Sequence, residues 1–315
     1  MTAYLLKRLG MSAVTFALVA VTVFVLIRLV PGDPASLMLG EAATEGQLQI
    51  LRERWGLDQP LPLQFGYWIG DVLTGDLGIS TRTGEAVLPL ILDRFQVSAI
   101  IVLTAMAIAV LIAIPAGLFA AWRQNSIGDF LIVSVATLLL SIPSFWLGLL
   151  MLLFFGLKLG WVPVLGYVGF TEDFGQALSF VVLPIATLAL IEAGVLIRMA
   201  RASAIEVLRQ EYVTHARAKG VPEWKVLARH VFPNAFAPTL TLIGLLLGNL
   251  MGGIAVLETV FTLPGVGRLL VESIYARDYP VVQGCLLLTA LVFVLINLVV
   301  DLLYPMFDPR ISRAS

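Results

Sequence analysis

Residues 211–235, EYVTHARAKGVPEWKVLARHVFPNA, gather both histidines of the chain, His215 and His230, and four basic side chains, Arg217, Lys219, Lys225 and Arg229, into one polar stretch. They interrupt 315 residues of which 59% are hydrophobic and only 13% charged. A mean hydropathy of +0.95 exceeds what a water-soluble domain can bury, so lipid must solvate most of the surface. The stretch therefore reads as a polar connection between membrane helices, and its own pattern is helical.

From Arg198 onward, Ala202, Ile205, Leu208, Tyr212 and Ala216 recur at steps of three and four and form one apolar stripe. Gly220 ends that pattern as a C-terminal glycine does. Pro222 suits the first position of a second helix with Glu223 in its first turn. On that helix Trp224, Leu227, Ala228 and Val231 share a face, and Pro233 is expected to stop it. Two short amphipathic helices meeting at a glycine fit a hairpin lying on anionic lipid heads. They fit a knob that fills a groove in another protein equally well. The residues alone leave both readings open.

Working outward, six apolar stretches are long enough to cross a bilayer core of about 30 Å: approximately 9–27, 97–121, 130–157, 180–197, 236–256 and 281–304. The first, at about 19 residues, has no small-residue cleavage site after it and reads as an uncleaved span rather than a signal peptide. Six spans put both termini on one side. Lys7, Arg8, Arg123, the seven basic residues from Arg198 to Arg229, Arg310 and Arg313 share a face, whereas the short loops opposite carry only Lys158, Arg268 and Arg277. The basic face, with both ends and residues 211–235, is thus expected to be cytoplasmic. Residues 31–94 carry nine acidic and four basic side chains and form an extracytoplasmic segment, with a small helix expected near Gln47–Trp55 and turns at Pro60, Pro62 and the glycines of 75–80.

Pro115, Pro143, Pro184 and Pro238 fall within spans, as do Gly244, Gly248, Gly252 and Gly253. Kinks of this kind suit a bundle with a pathway, while the four-residue glycine spacing suits close helix packing just as well. No G-x-x-x-x-G-K-[ST] loop is present, and neither histidine lies at membrane depth or in an H-E-x-x-H. Hydrolysis of nucleotide and zinc-dependent or serine-protease chemistry are therefore not expected of this chain. Glu192 lies within the fourth span, where a carboxylate is expensive unless it is paired, protonated or hydrated. Glu258, at the outer end of the fifth span, suits either a cationic solute or a carboxylate held by nearby backbone. Asn297 and Asp301 read as structural, pairing with basic residues at the inner side. A secondary transporter would be expected to show ion-coupling carboxylates in corresponding halves, and Glu192 alone lies deep in a span. Cys285, the single cysteine, leaves redox compartment open.

The polar stretch resembles the coupling loop of ABC-importer permeases, E-A-A, three residues, G, nine residues, I-x-L-P. Thr214, His215 and Ala216 fall on E-A-A, Gly220 on the glycine, and His230, Phe232 and Pro233 on I-x-L-P. The departures at Thr214, His215 and His230 match the dipeptide, oligopeptide and nickel branch, whose loops read EY-x-x-x-ARAKG and then RH-x-x-x-NA. RLVPGDP at 28–34, GLDQPL at 56–61, GDLGIS at 75–80 and ETVFTLPGVGRLLVESIYARDYPVVQ at 258–283 also resemble that branch. The N-terminal blocks are similar to the first, B-type permease of such systems.

The resemblance implies an all-α type I importer permease with kinked core helices in a bacterial or archaeal cytoplasmic membrane. It is divided into a first transmembrane helix at 1–30, an extracytoplasmic segment at 31–93, a permease core at 94–305 with its coupling loop near 198–235, and a cytoplasmic tail at 306–315. It implies as partners a second related permease, two cytoplasmic ABC ATPases that carry the ATP and Mg²⁺, an extracytoplasmic solute-binding protein and the lipid bilayer, with no nucleic acid and no cofactor on this chain. Tyr212, Thr214, His215, Ala216, Arg217, Lys219, Gly220, Trp224, His230 and Pro233 are then the expected ATPase-coupling residues, and Pro143, Glu192 and Glu258 the candidates for the solute path. Di- or oligopeptides are the implied solute, with nickel complexes, glutathione and sugars left open.

Overall fold

The computed structural model describes residues 2–29, 35–36, 43–54, 56 and 58–307. The described residues are helical apart from loops and one isolated antiparallel bridge between Ile79 and Ala86. Residues 30–34 of RLVPGDP, Trp55, and residues 308–315 of the expected tail, including Arg310 and Arg313, lie outside them.

The apolar runs become α1 (Thr2–Arg28), α4 (Val87–Trp122), α5 (Ile127–Ser141), α7 (Phe174–Leu208), α10 (Phe232–Gly253) and α13 (Tyr279–Phe307). The acidic segment between α1 and α4 carries α2 (Glu45–Arg54) and α3 (Leu61–Thr74). Among the described residues, five helices are long and apolar enough to span: Leu6–Arg28, Val87–Trp122, Phe174–Leu208, Glu223–Gly253 and Tyr279–Leu303. The expected third span is not one helix. It is α5 followed by α6 (Ser144–Met151) and a π-helical continuation, Leu152–Lys158, bent by 99° at the break. Proline explains the break: Pro143 has no N–H and its ring drives Ile142 out of helical geometry, to φ −92° and ψ 124°. Counted as one broken span, the pair restores the expected six.

The middle of the bundle is α4 against α7. Ala105, Ala109, Ala113 and Gly117 form a small-residue seam on α4 and are buried, as are Ala189, Ala193, Ala200 and Ala204 on α7. At Gly117 a Cβ would stand 2.7 Å from the Ala200 methyl, so only glycine permits this backbone approach. The glycines of α10 act in the same way against α13. A Cβ on Gly248 would meet Phe293 at 2.4 Å and one on Gly244 would meet Val300 at 2.6 Å, whereas Gly252 faces open space. Packing accounts for the first two glycines of the four-residue series and not for the third.

Two short helices that the sequence reading left inside larger segments separate α10 from α13: α11 (Ala255–Val260) and α12 (Val266–Ala276). The outer segment is tied down beside them. Asp278 is buried and accepts from the Ser80 hydroxyl and from the backbone N–H of Thr81 and Arg82, which pins the end of GDLGIS to the α12–α13 junction. At the opposite end of the bundle Arg8 meets Asp301 at 3.0 Å, the kind of basic partner expected for that carboxylate.

Candidate functional site

The chain leaves the bundle at the end of α7 and returns through α10, and between them it builds a hairpin from α8 (Glu211–Ala218) and α9 (Glu223–Val226). Gly220 sits at φ +76°, its N–H bonds to the Arg217 carbonyl at 2.9 Å and the Val221 N–H reaches the Ala216 carbonyl at 3.3 Å. These two bonds close α8 as a Schellman motif, which requires the left-handed residue that glycine supplies. Pro222 then takes φ −64° and ψ 144° as the residue before α9. Arg217 and Glu223 face each other across the turn, with Nε–Oε1 at 2.6 Å and Nη2–Oε2 at 3.3 Å.

Pro233 does not stop the second helix. Glu223–Gly253 forms one 31-residue helix, because Leu227–Val231 widens to a π-helical turn just before the proline. Wider spacing moves the carbonyls away from where an α-helix would set them against the proline ring, and the Phe232 N–H bonds to the Leu227 carbonyl five residues back. The wide turn also shifts the buried face. Val226 and Val231 are buried, while Trp224 is 67% exposed and Ala228 faces outward. The stripe expected across 202–216 is likewise broken, since α7 ends at Leu208 and α8 begins after a two-residue link. Ser203, Ala204, Val213 and Ala216 face inward instead, and Ala202 and Tyr212 are exposed.

One apolar cluster joins the hairpin to the bundle: Val213, Ala216, Val226 and Val231 with Ala121 of α4, Ala204 of α7 and Ala235 of α10. Ala216, one of the expected docking residues, is thus turned toward its own chain. The outward surface carries Tyr212, Thr214, His215, Lys219, Gly220 and Trp224, with the Lys225 ammonium 5.3 Å from the Trp224 ring centre. Arg217 is half-exposed at its rim, His230 is half-buried with its carbonyl taken by Asn234, and Pro233 lies half-buried at the base. A rigidly seated knob with one tryptophan at its tip is the result.

The three expected path residues lie on three different elements. Pro143 marks the break between α5 and α6. Glu192 is buried in α7, and its Oε2 accepts no hydrogen bond among the described residues. Glu258 of α11 is 1% exposed and committed to the N-terminus of α12: it accepts from Ser98 Oγ at 2.5 Å, from the Arg268 N–H at 2.8 Å and from the Gly267 N–H, while Val266 N donates to Ser98 Oγ. The backbone-held alternative is the one realised. Sequence reasoning missed the Asp129–Arg201 pair, in which Arg201 Nε and Nη2 reach the carboxylate at 2.6 and 2.7 Å. An aspartate three residues after Ser126 at a helix start was the available signal for a cap, but nothing local pointed to α7.

A family model described as binding-protein-dependent transport system inner membrane component matches residues 113–313. A second, for the N-terminal part of such membrane components, matches residues 1–104. Among curated relatives, a putative peptide transport system permease protein of Brucella suis is 42% identical over 311 residues, 99% of each chain. The dipeptide transport system permease protein DppB of Alkalihalophilus pseudofirmus is 38% identical over 332 aligned positions, 99% of this chain and 100% of its own. The glutathione transport system permease protein GsiC of Escherichia coli is 41% identical over 308 positions, 98% of both chains. With helices of spanning length and a hairpin at the place where the coupling-loop pattern fell, these matches cover nearly the whole length, and the chain belongs to the family of binding-protein-dependent transport system inner membrane components, as a multi-pass permease of the cytoplasmic membrane.

Proposed function

We propose that this chain is the B-type permease of an ATP-driven peptide importer and that residues 211–231 receive the motion of the ATPases. The observation that carries the reading is the hairpin's two-sided character: its inner face is fixed to α4, α7 and α10 through a buried apolar cluster, while Trp224, Thr214 and His215 stand exposed. A knob built in this way passes a push from outside into three core helices at once. The end of the bundle that bears it is then cytoplasmic, and residues 43–86 face outward with the solute-binding protein. ATP and Mg²⁺ belong to two ATPase subunits, a second permease completes the pathway, and this chain performs no hydrolysis itself.

Relatives named for peptides and dipeptides support a peptide solute. The relative named for glutathione fits the same chemistry, since glutathione is a tripeptide with charged ends. Purifying the tagged permease with its second permease, ATPases and binding protein, and reconstituting them in proteoliposomes, tests the reading. ATP-dependent uptake of dialanine is expected. Uptake that follows an ion gradient without ATP, or no recovery of ATPases, would contradict it.

A further inference from the structure

α5 packs its Ala136 side against α7, where a Cβ on Gly194 would stand 2.8 Å from the Ala136 carbonyl. The opposite side of α5 is open. Ser134, Thr137 and Ser141 lie on it at i, i+3 and i+7, with Phe130 between them and the Asp129–Arg201 pair at the end nearest the hairpin. Together they line an open hollow of about 770 Å³. At 1.5 Å per residue the lined stretch of α5 runs about 20 Å, from the hairpin end to just before the break at Pro143.

A hydroxyl on a helix that faces lipid can close on the carbonyl four residues back, because hydrocarbon offers it no other partner. Thr15 and Thr22 on exposed α1 do this at 2.9 and 2.8 Å, and Ser141 does the same at 2.9 Å. Ser134 and Thr137 are exposed yet make no such bond, and have no other side-chain hydrogen bond among the described residues. Both hydroxyls are thus left to bond with groups outside the chain. At the mouth, Asp129 is buried and spends both oxygens on Arg201, so that end is ionic but carries no net charge, while Arg201 Nη1 keeps its N–H donors available.

Taking the importer reading above as its basis, we infer that the Ser134–Thr137 face of α5 is a wall of the hydrated solute path, suited to zwitterionic peptides that pass along hydroxyl groups and a neutralised ion pair. A wall without fixed charge holds neither end of such a solute tightly, which a conduit requires because the solute must also leave. Phe130 supplies an apolar surface for side chains. The competing occupant of this hollow is a helix of the second permease.

The assembled importer distinguishes them. Cys285 is buried, so this chain adds little background thiol reaction, and the wild-type complex treated in the same way gives the background of the other subunits. In inside-out vesicles holding the complete complex, Ser134→Cys and Thr137→Cys are treated with a cationic methanethiosulfonate, alongside Leu18→Cys on exposed α1. Reaction at 134 and 137 at least roughly tenfold faster than at 18 is expected, since the reactive thiolate forms only in water. Modification is also expected to block uptake, whereas label on position 18 leaves it unchanged. Absence of reaction in a transport-competent complex, or full uptake after modification, overturns the proposal and assigns the face to protein or lipid. Dialanine uptake by the unmodified importer tests the solute reading separately, because the labelling rates do not depend on which solute is carried.

Discussion

Glu258 shows how a single carboxylate in an apolar chain finds its role. Gly265, at the N-cap of α12, has no side chain to receive the orphan N–H groups of that helix. Ser98 from α4 takes the first, at Val266, and Glu258 takes those of Gly267 and Arg268. The negative group also lies against the positive end of the helix dipole. Gly265 must be glycine for this to work, since a Cβ there would overlap Glu258 Oε1. Glu258→Gln places an amide where two acceptor oxygens are needed, so a loss of about 1–3 kcal/mol in stability is expected, read as a lower melting temperature of the purified permease. Uptake should fall in proportion to permease abundance, equally for cationic and neutral peptides. A selective loss for cationic peptides at unchanged abundance would put Glu258 back in the solute path. The sequence showed a carboxylate at a helix end but not its use, because Ser98 and Arg268 reach it only through the fold.

At the scale of elements, the hairpin divides into what spacing reveals and what it hides. Gly220 was legible, since a glycine after an amphipathic run is a local stop signal and its φ of +76° is a local requirement. Gly220→Ala is expected to cost about 1–2 kcal/mol, the strain of a left-handed non-glycine residue, and to leave the spans intact. Faster cleavage by a protease confined to residues 209–231 is the readout, and cleavage at the wild-type rate would contradict the assignment. The π-helical turn at Leu227–Val231 was not legible, because a pattern read at 3.6 residues per turn cannot register one wider turn. That turn placed Trp224 outside and Val226 inside, against the expected face. The bend at Pro143 was half legible: the proline was visible as a kink, but its 99° depends on how α6 packs against α7 and α11.

For the whole molecule, composition and span counting carried the architecture, while the orientation rests on the distribution of basic residues alone. If that orientation holds, a cysteine at Gln47 reacts with an impermeant reagent from outside intact cells, and one at Lys225 reacts only after permeabilisation. The reverse pattern would invert the molecule and remove the hairpin from the ATPase side. The central claim is that the hairpin is where the ATPases act. Trp224 tests it most directly, because at 67% exposure it contributes little to its own fold. Co-purification of the ATPases with Trp224→Asp permease should be measured beside ATP-dependent uptake and melting temperature. Several-fold lower ATPase recovery and loss of uptake, with an unchanged melting temperature, are predicted; wild-type recovery together with wild-type uptake would contradict the account.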